Sequence, residues 1–196
     1  MERVAATRAS RGDRTRTALV QAALSLFGQN GVERTSIDEI TQASNVAKGT
    51  FYVHFQRKQD VLLELGAQVV ESLDHTPPSG DAVEALGILG NRLAKIMSEM
   101  PRHVTGRMVR EIVGHREHWT RVLGDRRTLG AIIEPIIETG QTAGMMRTDQ
   151  TAARLAQALV ILWLDNIIGW AERPVDLPLK RDLAKATALF LDGALV

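Results

Sequence analysis

Residues 35–58 read TSIDEITQASNVAKGTFYVHFQRK, and this stretch decides the fold. Thr35-Ser36 followed by Ile37-Asp38-Glu39 is a helix start. A serine can accept from the free amides of a first turn, and a glutamate three residues on can reach back to the cap. The spacing predicts a short helix with Ile37, Ile40 and Ala43 inward. Ser44-Asn45 then breaks it, and asparagine is among the few non-glycine residues that take a left-handed backbone cheaply. A second short helix is predicted over Ala47–Val53. Its composition does not suit a core. Lys48, Gly49, Thr50, Tyr52 and His54 are small or polar, whereas Val46, Phe51 and Phe55 can pack beneath them. Aromatic residues make up only 4% of the chain, yet Phe51, Tyr52 and Phe55 cluster here. Two helices of about two turns, joined by a tight turn, can present the second helix to a DNA major groove about 12 Å wide.

Outward from this stretch the chain reads as helical almost throughout, with no strand-type alternation and no internal repeat. Residues 1–13 form a basic arm. A helix is predicted from Arg14, with Leu19, Ala23, Leu26 and Phe27 on one face and Gly28 and Gly31 as stops. A fourth helix runs from near Arg57 to about Asp74, and His75-Thr76-Pro77-Pro78-Ser79-Gly80 is a linker. Asp81 caps the next helix, with Glu84 in the capping-box position and Pro101 at its end. Residues 102–118 are a weaker helix, interrupted by Gly106 and Gly114. A longer one carries Ile132, Ile133, Ile136 and Ile137, is kinked by Pro135, and is closed by Gly140 and Gly144. Residues 151–171 are apolar over more than one face, which implies burial on several sides. Pro174 and Pro178 bracket a turn before a last helix with Leu183, Ala186, Phe190, Leu191 and Leu195. The fold class is all-α.

Composition narrows the function. The 196 residues contain no cysteine, which removes disulfides, thiolate nucleophiles and cysteine-based metal sites. Net charge is +1, but it is unevenly spread. Residues 1–60 hold nine Lys/Arg against six Asp/Glu, and residues 61–196 hold fifteen against seventeen. A basic first third suits a small nucleic-acid-binding unit joined to something else. No stretch approaches about 20 uninterrupted apolar residues, so no membrane partner is expected and the cytoplasm is the expected location. There is no phosphate-binding loop, dinucleotide fingerprint or nucleophile elbow. His115-Arg116-Glu117-His118 has its histidines three apart, not the four that a zinc-protease helix needs, and His103 adds no recognisable spacing. No enzyme activity, metal or cofactor is expected.

The segments Thr35–Ile40 and Asn45–Phe55, together with Lys58, resemble the DNA-binding domain of the tetracycline-repressor (TetR) family. The motif covers about a quarter of the chain, and the nine-helix layout and length agree with the family elsewhere. The resemblance implies a helix-turn-helix domain over 14–60 after the arm, and a ligand-binding and dimerisation domain over 61–196. It assigns duplex contacts to Thr35, Ser36, Lys48, Gly49, Thr50, Tyr52, His54 and Lys58. Lys48, Gly49 and Thr50 would meet base edges or nearby phosphates, and Tyr52, His54 and Lys58 phosphates. Thr35 and Ser36 would set a helix N-terminus against the backbone. Asn45 stands where glycine is usual, Ala47 where serine is usual, and Val53 where a larger or polar residue is common. The resemblance also implies a homodimer on a palindromic operator, with Leu155, Leu159, Leu162, Phe190 and Leu191 at the interface. A small-molecule effector would release the DNA. Its pocket is expected at Leu93, Met97, Met100, Met108, Ile112, Trp119, Ile133, Ile137, Trp163 and Ile167. Arg107, Arg110, Glu111 and Asp165 are the charged groups able to face it, so the effector is expected to be mostly apolar or aromatic. The alternative is a DNA-binding regulator whose C-terminal domain is only a dimerisation or protein-interaction platform.

Overall fold

Helix α1 (Arg11–Asn30) buries Leu19, Val20, Ala23 and Phe27 along one face. It starts three residues before the expected Arg14 and passes through Gly28. It ends where Gly31 takes φ +80°, a left-handed exit that suits glycine. This computed structural model describes residues 11–73, 81–114, 128–174 and 177–195, which contain nine α-helices and an isolated antiparallel bridge. They fall into two units that meet in sequence at Val61 and Leu62.

Helix α2 (Ile37–Ala43) begins with the expected capping box. Glu39 N–H donates to the Ser36 hydroxyl at 3.2 Å, and Ser36 N–H donates to the Glu39 carboxylate at 2.7 Å. Its inward face differs from expectation: Ile40 and Thr41 are buried, Ile37 is half-buried and Ala43 is exposed. Thr41 can be buried because its hydroxyl donates to the Asp38 carbonyl. Asn45, at φ 53°, closes the helix. Its N–H donates to Gln42 O, and Val46 N–H donates to Thr41 O at 2.9 Å. This pair of bonds is the Schellman closure, which requires a left-handed residue between helix and exit.

Helix α3 (Lys48–His54) lies one residue later than expected and buries Phe51 completely. The next helix, α4 (Asp60–Ser72), starts three residues later than Arg57. The Asp60 carboxylate accepts from the Gln56 and Arg57 amides at 2.9 and 2.8 Å, which holds residues 56–59 in a turn.

The second unit adds α5 (Ala82–Ser98), α6 (Arg102–Gly114), α7 (Leu129–Thr142), α8 (Ala152–Glu172) and α9 (Leu179–Ala194). Asp81, Thr128 and Thr151 accept from the third-residue amides of α5, α7 and α8. Pro101 does more than stop α5, because its carbonyl accepts the Val104 and Thr105 amides that open α6. Pro135 sits inside α7, and Gly144 exits after it at φ +69°. Gly66 of α4 faces α6 so closely that a Cβ there would lie 2.8 Å from Ile112 Cδ1.

Helix α8 is the centre, packing against α6, α7 and α9, while α5 packs against α7 and α9. It is long and apolar enough to cross a membrane by length and composition. Here Leu155, Leu159, Val160, Trp163 and Ile167 are buried against neighbouring helices. Trp163 donates its ring N–H to Thr187 Oγ at 3.0 Å, and Thr187 donates onward to Leu183 O at 2.8 Å. The indole therefore leaves no donor unsatisfied in the core. Arg102 stacks 4.6 Å over Trp170 and donates to its carbonyl, and Arg110 pairs with Glu172. Met146 bridges to Leu195, and Arg147 N–H donates to Ala194 O at 2.9 Å, tying the α7–α8 connection to the C-terminal end.

Asn45→Ala is expected to destabilise the first unit by about 1 kcal/mol, because alanine meets a steric penalty in the left-handed region that asparagine tolerates. Asn45→Gly should leave stability unchanged or higher. Chemical denaturation of both variants checks this.

Candidate nucleic-acid interface

Helix α3 has two unlike faces. Beneath, the Phe51 and Phe55 rings lie 5.6 Å apart and are buried, with the Arg16 guanidinium of α1 4.9 Å from the Phe55 ring centre. Outside, Lys48, Gly49, Tyr52 and Val53 are exposed. A Cβ on Gly49 would meet nothing within 4 Å, so the helix opening is unobstructed. Tyr52 stands edge-on to Phe51, 5.6 Å centre to centre. The inner ring thus braces the outer one while the outer stays accessible. Thr50 and His54 are half-buried at the flanks.

The remaining residues expected at the duplex are already engaged within the protein. Thr35 is 1% exposed, and its hydroxyl donates to Gly31 O at 2.9 Å. It pins the α1–α2 turn and does not face outward. Ser36 is exposed, but its amide and hydroxyl both donate to Glu39, so a carboxylate of the chain itself sits where a phosphate was expected. Lys58 is half-buried and donates to Glu33 O at 2.8 Å and Thr35 O at 3.0 Å, which fastens the entry to α2. Lys48 reaches back to Asp38 of α2 at 2.7 Å. That hydrogen bond, with the attraction of the carboxylate, raises Lys48 above the ordinary ammonium value and keeps it charged. Val53, which carries no assigned role in the sequence reading, is 79% exposed beside Gly49 and Tyr52. It lies one helical turn beyond Gly49 on the same face. The arm residues Arg3 and Arg8 lie outside the described residues.

In the second unit, Leu93, Met97, Met108, Ile112, Ile133, Ile137, Trp163 and Ile167 are all buried and Met100 is half-buried, while Trp119 lies outside the described residues. Trp163 is committed to α5 and α9, through its Thr187 bond and the close approach of Gly90. Glu111 is buried and pairs with Arg107 at 3.2 Å, whereas Asp165 is exposed. A half-open cleft of about 230 Å³ lies between α5 and α9, walled by Val83, Gly87, Gly90, Ala184, Thr187 and Ala188; of the residues expected to hold an effector none lines it, and Trp163 lies behind Gly90 and Thr187. Leu155, Leu159, Phe190 and Leu191, expected between protomers, are buried in the chain's own core, and Leu162 is half-buried. Leu155 and Leu159 belong to α8, which packs against α6, α7 and α9, and Phe190 and Leu191 belong to α9, which packs against α5 and α8. The outward faces of α8 and α9 instead expose Ala158, Ile161, Ala184, Ala188 and Leu189. Among the described residues no three histidine or acidic side chains gather as metal ligands, and His115 and His118 lie outside them.

A capped helix, a left-handed hinge and a second helix with a polar outer face define a helix-turn-helix DNA-binding regulator. Residues 19–65 match the bacterial regulatory proteins of the tetR family, and residues 59–193 match the C-terminal domain of TetR/AcrR family transcriptional repressors. The chain belongs to the TetR family of transcriptional repressors. It is similar to the probable HTH-type transcriptional regulator ArpR of Pseudomonas putida, 24% identical over 91% of this chain and 90% of that protein. The HTH-type transcriptional regulator TtgR, also of Pseudomonas putida, is likewise 24% identical, over 83% of this chain and 88% of that one. Among solved structures, the TetR-family repressor FadR of Thermus thermophilus, in complex with lauroyl-CoA, superposes with a TM-score of 0.75. It is 27% identical, and the match covers 92% of this chain and 95% of that one.

The capping box makes α2 acid-sensitive. The Ser36 amide, seconded by the Ser36 hydroxyl, holds the Glu39 carboxyl below its ordinary value of 4.5. Its stabilisation is complete above the unfolded-state pKa and is lost as pH falls through the depressed folded-state value. Glu39→Gln is expected to lower stability at neutral pH and to flatten the acid limb. Melting temperatures measured from about pH 6 to about pH 3 check this, since that window brackets a depressed carboxylate.

Proposed function

We propose that the chain represses transcription as a homodimer, each protomer laying α3 in a half-site of a palindromic operator, and that an apolar small molecule entering the second unit releases it. The observation that carries this reading is the outer face of α3: Lys48, Gly49, Tyr52 and Val53 exposed together over a buried aromatic footing. Such a face mixes a cation for phosphate, bare backbone for close approach, and apolar surface for thymine methyls. Tyr52, Lys48 and the half-buried His54 serve as positioning groups, and Gly49, Thr50 and Val53 lie closest to the bases. Lys58, Thr35 and Ser36 act one step back, by holding α2 in place.

The outward faces of α8 and α9 support the dimer. Leu189 is 66% exposed, beside small residues that would let partner helices approach closely. Two half-sites one helical turn apart multiply specificity beyond what one short helix gives. An apolar effector is supported by the side chains of the second unit, where the buried carboxylates Glu111 and Asp182 are already answered by Arg107 and Arg173. The relative solved with lauroyl-CoA makes acyl compounds the first class to try.

Selection of bound duplexes from a random pool tests the core of the reading, with a palindrome expected. The selected duplex is then challenged with lauroyl-CoA, free laurate and an uncharged aromatic compound of similar size. Release by at least one of them is expected. Equal affinity for all duplexes overturns the operator, and a complex untouched by every compound favours a platform without effector. For the dimer, Ile161→Glu combined with Leu189→Glu is expected to give monomers in sedimentation at micromolar concentration, with operator affinity lost. An intact dimer overturns this interface.

A further inference from the structure

We infer that Asp38 is a built-in brake on DNA affinity, holding the Lys48 ammonium in an internal ion pair that a phosphate must displace. The inference rests on the reading of α3 as the duplex-facing helix, and it concerns how that helix is regulated by its neighbour.

Three observations support it. The pair is short and direct, Lys48 Nζ to Asp38 Oδ1 at 2.7 Å, and it links the first turn of α2 to the first turn of α3. Second, helix capping does not account for the pair, although the helix dipole favours the Asp38 carboxylate in the first turn of α2. Capping of α2 is done by Ser36 and Glu39, which leaves the Asp38 carboxylate out of the box. Lys48 stands at the positive end of α3, where a cation is disfavoured by the helix dipole, and Ala47 provides no side-chain cap. A lysine in that place is explained by an anion outside the protein, and Asp38 occupies it until that anion arrives. Third, the side chains are 57% and 69% exposed. Water and salt weaken such a pair until it exchanges readily, so it attenuates binding without blocking it.

The mechanism is competition between two anions for one cation. In the free protein Lys48 is neutralised by Asp38 and brings no net charge to the duplex. When DNA is bound, either the ammonium leaves for a phosphate or the pair remains and its carboxylate faces the polyanion. Both routes reduce affinity at every sequence alike, because phosphates carry no base identity.

The test is binding of Asp38→Asn, Lys48→Ala and the double variant by fluorescence anisotropy across a salt series. The probes are the selected operator and an unrelated duplex. Asp38→Asn is expected to bind both duplexes about two- to fivefold tighter, the size of an exposed ion pair. The slope of log affinity against log salt should steepen by about 0.9 per protomer where the pair persists on the duplex, and should stay the same where the ammonium already leaves for the phosphate. In the Lys48→Ala background the same substitution should give little or no gain. A gain undiminished in that background overturns the brake and leaves only general repulsion by Asp38. Weaker binding by Asp38→Asn with an unchanged melting temperature also overturns it, since Asp38 would then be orienting Lys48 for the duplex. If Lys48→Ala and Tyr52→Ala both bind as tightly as the parent, the duplex-facing role of α3 fails, and the brake with it.

Discussion

Burial of Phe51 is the constraint on which the DNA-facing half of this protein depends. A helix of seven residues has too few internal hydrogen bonds to persist in water on its own. Helix α3 exists because Phe51 and, one turn on, Phe55 are removed from solvent, each burial being worth roughly 2 kcal/mol. The same burial fixes which way the helix is turned. With residues 51 and 55 inward, the 3.6-residue repeat leaves Lys48, Gly49, Tyr52 and Val53 outward. The polar framework around α2 then sets where that face points. Lys58 gathers the carbonyls that lead into α2, Thr35 anchors the turn before it, and Asn45 turns the chain after it. The outer face of α3 is therefore held in place by contacts made within the unit, away from that face.

Much of this was legible in the sequence, for local reasons. Ser36 with Glu39, and Asp81 before Glu84, are cap signals written within four residues, and the chain satisfies them within four residues. Asn45 between two short helices carries a backbone requirement that few residues meet. Other features of the first unit could not be read from spacing alone. Lys58 looks like a free cation until the carbonyls of Glu33 and Thr35, more than twenty residues earlier, are brought to it. Thr41 took the inward place expected for Ala43 because its hydroxyl could be satisfied on the spot.

The second unit shows the same limit on a larger scale. An all-round apolar helix announces burial, but not against what. In α8 the answer is mostly intramolecular, so Leu155 and Leu159 serve the core, and Ile161, one position round, is left outside. The C-terminal end of α8 is held by polar contacts. Arg102 stacks on Trp170, Arg110 pairs with Glu172, and Arg173 donates to Asp182 at 2.8 Å. These fix the axial position of α8 in a way that oily packing alone does not, because charge-assisted bonds are directional.

Gly66 marks a different kind of contact. Where α4 meets Ile112 there is no side chain on the α4 side, and the space for one is missing. Two helices that interlock by knobs can move past each other only in steps of a turn, climbing over each knob. A bare backbone against the flexible tip of an isoleucine has no such knob, and a side chain at residue 66 would have to push that tip aside. The helix is continuous to Asp60, whose carboxylate holds the amides at the exit of α3.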